Sequence, residues 1–162
     1  MDPVQYLLDK DNESPVKVEV DAPQQHHDAV GTWRSITYTY ADGCQIVLWG
    51  DDYGDPDTPY IAGPNGNVYP GFRCDIPDWQ LKLADFPEPA PQQTDFMECI
   101  RTRRPFALNE TNGFRSCTLV NMGAVAVRLN RTLRFDNDTM EFIDDPAANR
   151  LLEQPMRGPW KI

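Results

Sequence analysis

"NGFRSCTLVNMGAVAVRLNRTLRFD", residues 112–136, holds the change of periodicity that decides the fold. Phe114, Leu119, Val120, Met122, Ala126 and Leu129 recur at helical spacing and predict one wide apolar face. Asn130 suits the helix end, because Asn tolerates the left-handed backbone that a C-terminal cap requires. "TLRF" then alternates like a strand, "DNDT" reads as a turn and "MEFI" closes a hairpin. "DDPAANRLL" predicts a final short helix with Asp145 as N-cap and Pro146 at its first position. The remainder, "EQPMRGPWKI", reads as a tail anchored through Met156 and Trp160.

Upstream the chain is mostly β. Val4, Leu7 and Leu8 predict one face of a short helix, ended by the polar run 9–14. "VKVEV" (16–20) alternates apolar and charged residues as a half-buried strand does, and "APQQHHDAVG" reads as loop. "TWRSITYTYADGCQIVLWG" (32–50) is the clearest hairpin: Ile36, Tyr38 and Tyr40 share a face, Ala41-Asp42-Gly43 turns, and Ile46 and Leu48 resume. "YIAGPNGNVYPG" predicts two more short strands around Gly63-Pro64-Asn65-Gly66, extending the same antiparallel sheet. Residues 75–93 hold Pro77, Pro87, Pro89 and Pro91, so only "DWQLKLADF" can make a helical turn or two, and the segment reads as a crossover over the sheet. Thr94 is the expected cap of a helix carrying Phe96, Cys99 and Ile100 on one side and stopping before Pro105.

This order predicts a single α+β domain over 1–162: an open, mostly antiparallel sheet with helices on one face. Residues 1–74 are mostly β, 75–93 are the Pro-rich crossover, and 94–162 bring helices, hairpin and tail. The second face is left bare, and Trp33 and Trp49 are the aromatic residues expected to make it a partner surface. With 162 residues, roughly two thirds of the unfolded surface can be buried.

Totals exclude several functions. The formal charge of −10, from 25 acidic and 15 basic residues, disfavours nucleic acid, and "RTRR" (101–104) is too short for a phosphate-reading surface. No apolar run approaches the about 20 residues of a spanning helix, so no membrane is expected. The N-terminal segment lacks the basic, apolar and small-residue regions of a signal peptide, which points to the cytoplasm. Cys44, Cys74, Cys99 and Cys117 include no C-x-x-C pair and read as reduced, structural thiols. Sequons at Asn12, Asn109, Asn130 and Asn137 are short matches with meaning only in a glycosylating compartment.

Three clusters have catalytic residue types. His26, His27 and Asp28 are adjacent and cannot easily converge on one ion, so a solvated loop is the better reading. Asp51, Asp52, Asp55 and Asp57 lack the ligand order of a calcium loop and read as solubilising. Arg115-Ser116-Cys117, expected at the start of the long helix, can hold an anion on free N–H groups, although packing of that helix turn explains the same residues better. No metal site is indicated. There is no Gly-rich phosphate loop and no G-x-S-x-G.

From Phe96 the motifs follow one another: F-x-x-x-I-R then Pro105, G-F-R-S at 113–116, L-x-R-x-L-x-F-D at 129–136, A-N-x-L at 148–151 and P-x-R-x-P-W at 155–160. In this run the chain resembles the C-terminal domain of the glucose-fructose oxidoreductase / inositol dehydrogenase / MocA family. Whole members are NAD- or NADP-dependent oxidoreductases of sugars, polyols and related substrates, with an N-terminal Rossmann domain and an open C-terminal sheet used for oligomer contacts. The resemblance therefore implies a substrate-side and oligomerisation domain that is catalytically incomplete, binds no cofactor alone, and is partnered by a Rossmann domain or full-length relative as a homo-oligomer through its open face. "MDPVQYLL" is similar to the family's H-x-x-D helix entered at its Asp, so Asp2 takes the place of that Asp and the catalytic His would precede Met1. The E-K-P lysine has no counterpart among Lys10, Lys17, Lys82 and Lys161. Asn109, Asn112 and Arg115 stand as substrate-pocket edge. The alternative is a stand-alone assembly, regulatory or sugar-binding module.

Overall fold

The computed structural model describes residues 2–26, 31–50, 55, 57–71, 73–87, 93–152 and 158. They form two compact units, Met1–Tyr53 with Leu108–Ile162, and Gly54–Ala107. The first unit holds a five-stranded sheet in the order β3-β2-β1-β7-β8, antiparallel at every pairing. Its strands are β1 (Lys17–Asp21), β2 (Ser35–Thr39), β3 (Gln45–Trp49), β7 (Leu133–Asp136) and β8 (Glu141–Phe142). Around it lie α1 (Asp2–Leu7), α4 (Glu110–Leu129) and α5 (Pro146–Asn149).

Alternation along the strands builds the core. Val18, Ile36, Tyr38 and Ile46 point to one face and are buried, while Glu19, Thr37 and Val47 point to the other. Leu119, Met122, Ala126 and Val127 of α4 close the buried side, and Phe135 and Phe142 pack edge-to-face at 5.3 Å in the last hairpin. Both later sequence signals hold: Asn130 caps α4 at φ 50°, and Asp145 accepts from the Ala148 N–H with Pro146 at the first position of α5.

Several faces differ from the sequence reading. α4 packs on a narrower stripe centred on Gly123, so Phe114 and Val120 are exposed by about half rather than buried. Among the described side chains of α1 Gln5 is buried and Leu7 faces outward, because the helix turns a polar side toward Tyr40. Trp33 packs against the core, leaving Trp49 as the aromatic residue of the bare face. Met156 and Trp160 lie outside the described residues.

The second unit has its own three-stranded antiparallel sheet: β4 (Ile61–Gly63), β5 (Gly66–Tyr69) and β6 (Arg73–Cys74). The strands expected to extend the first sheet instead pair among themselves, since Gly66 at φ 140° reverses the chain within its own hairpin. The Asp75 carboxylate fastens the sheet by accepting from the Asn67 amide and side chain. α2 (Trp79–Ala84) and α3 (Phe96–Thr102) follow. Asp95, not Thr94, caps α3, accepting from the Glu98 N–H three residues on. Cys99 is its buried residue, whereas Phe96 and Ile100 are largely exposed. Among the described residues no helix is long and apolar enough to cross a membrane.

In the core Gly123 of α4 lies close against Tyr38. A Cβ at position 123 would collide with the Tyr38 hydroxyl and would lie 3.2 Å from Cζ and 3.6 Å from Ile36 Cδ1. Gly123→Ala should therefore destabilise by about 1–3 kcal/mol, overpacking outweighing the better helix propensity. Adding Tyr38→Phe removes the colliding oxygen and should recover most of that loss in urea denaturation; equal losses in the single and double variants would refute the contact.

Candidate functional site

The sequence-predicted pocket-edge residues fall on the first two turns of α4, whose start differs from the expected one. The helix begins at Glu110, with Asn109 as N-cap accepting from the Thr111 and Asn112 N–H groups at 3.0 and 3.1 Å. The Gly113 N–H already bonds to the Asn109 carbonyl. Arg115 is thus in the second turn, and the N–H groups that an anion would use are taken by the helix's own cap. The anion reading of Arg115-Ser116-Cys117 fails on this geometry.

Arg115 does enter a different constellation. Its Nη1 donates to Ser14 Oγ at 3.0 Å, and its guanidinium lies 5.6 Å from the Phe114 ring centroid. Ser14 is fully buried and is clamped at both backbone groups by Asn137, whose Nδ2 donates to the Ser14 carbonyl and whose Oδ1 accepts from the Ser14 N–H. Beside this clamp Gln5, also fully buried, donates to the Tyr40 hydroxyl at 3.5 Å. Lys10 lies over the Tyr40 ring and reaches Glu13 at 2.6 Å and Asp42 at 2.7 Å. The Gln5 Oε1 and Arg115 Nε have no partner in this buried polar layer. Pattern reading missed it, because its members come from distant segments and each looks like an ordinary surface residue. The one legible signal was Tyr40 at an inward strand position, a hydroxyl that needs a partner when buried.

The layer tunes its own charges. Hydrogen bonds that Lys10 donates to Asp42 and then to Glu13 hold its ammonium well above its usual range, and the same bond from Lys10 holds Asp42 below the usual carboxylate range. Burial pushes the Tyr40 hydroxyl up to about 12, against the small opposing pull of Gln5. No acid–base pair tuned near neutrality arises from it.

Other candidates dissolve or stay apart. Asp2 opens α1, but its side chain lies outside the described residues, as do those of His27, Asp28, Asp51 and Asp52. Asp55 accepts from the Asp57 N–H in a local turn, and among the described residues no group of three or more His, Cys, Asp or Glu is placed to hold a metal ion. Cys99 is buried and Cys117 exposed. Among the described residues there is no Rossmann-type dinucleotide unit: the strands pair only antiparallel, and Asn109 caps the N-terminus of the long helix. A shallow cavity of about 450 Å³ opens beside Lys17, Thr39, Arg134 and Asp136, and another of about 500 Å³ lies in the second unit between Ile76, Trp79, Leu83 and Phe86.

Because the folded pKa values of Tyr40 and Lys10 are raised, their contribution to stability is complete below the unfolded values of about 10. It is lost as pH rises through the folded value, about 12 for Tyr40. The depressed Asp42 acts oppositely, contributing above an unfolded value near 3.8 and failing as pH falls. Urea midpoints should therefore hold steady from mild acid to about pH 10 and fall beyond it, less steeply in Tyr40→Phe. Parallel alkaline falls in both proteins would remove Tyr40 from this role.

Compared with known proteins, residues 1–162 match the family model of the Gfo/Idh/MocA oxidoreductases described as "Oxidoreductase family, C-terminal alpha/beta domain". No curated protein and no solved structure matches the chain. The full-length match agrees with the antiparallel sheet, the covering helix and the lack of a Rossmann domain in this chain. The chain belongs to the Gfo/Idh/MocA oxidoreductase family and represents its C-terminal α/β domain.

Proposed function

We propose that this domain serves a NAD(P)-dependent oxidoreductase of a sugar, polyol or related substrate, supplying one wall of the substrate pocket and an assembly surface. The observation that carries the reading is the family match over the whole chain. Nucleotide binding and hydride transfer then belong to a Rossmann domain, in the same polypeptide or in a full-length relative. The cap residue Asn109 and the side chains of Asn112 and Arg115 form the substrate edge, in a cytoplasmic enzyme. Support for the edge is positional: the three residues share the first two turns of α4, and Asn112 and Arg115 are three apart on one side of it.

A second reading, an assembly or regulatory module without its own chemistry, is favoured by the outer side of the sheet. There Val47 and Trp49 are exposed by 40% and 51% beside the half-buried Thr37.

Calorimetric titration of the chain with NAD(H) and NADP(H) should show no micromolar binding; such binding would overturn the division of labour. In a thermal-shift series, millimolar polyols or sugars should raise the melting temperature of the wild type and not of Arg115→Ala. A shift that survives Arg115→Ala would remove Arg115 from the pocket edge. A series without any shift would leave the assembly reading as the better one.

A further inference from the structure

Three Asx–Gly pairs occur in the chain: Asp42–Gly43, Asn65–Gly66 and Asn112–Gly113. In each the glycine nitrogen has no neighbouring side chain to shield it and can reach the carboxyl or carboxamide carbon of the preceding residue, closing a five-membered ring. The fold treats the three differently. Asp42 Oδ1 accepts from the Cys44 N–H at 2.9 Å, its Oδ2 accepts from Lys10 Nζ at 2.7 Å, and the Gly43 N–H donates to the Tyr40 carbonyl at 3.0 Å. The first two bonds hold Asp42 ionised, and a carboxylate anion is a poor electrophile. Asn112 lies in the first turn of α4, where its own N–H donates to Asn109 Oδ1 at 3.1 Å and the Gly113 N–H to the Asn109 carbonyl at 3.0 Å. Ring closure there requires unwinding the capped start of a 20-residue helix.

Asn65 has neither restraint. It is exposed at the reversal between β4 and β5, and none of the described residues hydrogen-bonds its carboxamide. The turn is closed by the pair Gly63–Gly66, at the end of a hairpin whose strands have three and four residues. A turn of this kind opens locally far more often than the body of a packed helix. Gly66, at φ 140°, lets the backbone move where a side chain would restrict it.

We propose that Asn65 is a site of spontaneous deamidation through a succinimide, while the fold keeps Asp42 and Asn112 intact. The Gly66 N–H gives its proton to hydroxide, the nitrogen bonds to Asn65 Cγ, and the carboxamide nitrogen leaves as ammonia. Water then opens the ring at either carbonyl carbon and leaves residue 65 as aspartate or isoaspartate, with no oxidation or reduction in either step. Isoaspartate carries one extra methylene in the main chain between β4 and β5, so it displaces the register that sets Ala62 opposite Asn67 and Ile61 opposite Val68. There is little room for that shift, because residue 66 lies against Asp75, where even a Cβ would come within 2.7 Å of Oδ1. Either product adds negative charge to a chain already at −10 and turns a neutral amide lining the cavity of the second unit into a carboxylate.

The full chain held in warm, mildly alkaline buffer should develop an acidic charge variant on isoelectric focusing. Peptide mapping by mass spectrometry should place a gain of one mass unit at residue 65 at least about tenfold faster than at residue 112. Both aspartate and isoaspartate should appear at 65, the mark of a ring intermediate, with no isoaspartate at residue 42. In urea Asn65 and Asn112 should react at similar rates, because only the fold separates them. Asn65→Gln should abolish the variant and keep the circular dichroism spectrum. Equal rates at 65 and 112 in the folded chain, reaction at 65 only after urea is added, or aspartate without isoaspartate would each overturn the proposal.

Discussion

The first unit depends on how closely α4 lies against β1 and β2. A helix of 20 residues with few large inward side chains can bury itself only by approaching the sheet, and Gly123 over the Tyr38 ring is where it does so. From that contact the rest follows. Leu119 and Met122 reach the sheet on one side, Ala126 and Val127 on the other, and α1 and α5 find α4 at fixed heights. A side chain at 123 would lift the helix and loosen all of them together.

Close packing also explains the polar layer below the helix. Where α1, the 9–15 segment and the β2–β3 turn converge with the start of α4, apolar filling gives way to Gln5, Lys10, Ser14, Tyr40 and Asn137. Buried polar groups contribute little net stability when paired, yet cost much when misplaced, so such a layer selects one arrangement of segments over near alternatives. Its hydrogen bonds determine where α1 sits. Arg115 belongs to this layer and to the proposed substrate edge at once, through different atoms.

The backbone of the sheet is completed at one end by a side chain. The outward N–H and C=O of Phe142 in β8 are taken by Asn149, and β3, at the other end of the strand order, is a neutral five-residue strand. The outer face between them is mostly Thr, Ser and charged residues, with the exposed Val47 and Trp49 both on β3.

Much of this architecture was legible in local sequence. The Tyr38 and Tyr40 alternation, the Asn130 cap, Pro146 after Asp145 and the motif run from Phe96 are short-range signals, and each is governed by backbone chemistry within a few residues. They determined the element types, the antiparallel α+β class and the family. Only the tertiary structure decided that residues 61–74 form a sheet of their own, that Trp33 turns inward while Phe114 turns outward, that Asn109 caps α4 and places Arg115 a turn deeper, and that Ser14 meets Asn137. Those outcomes depend on which surfaces meet across long stretches of chain, and periodicity describes a face without naming what covers it.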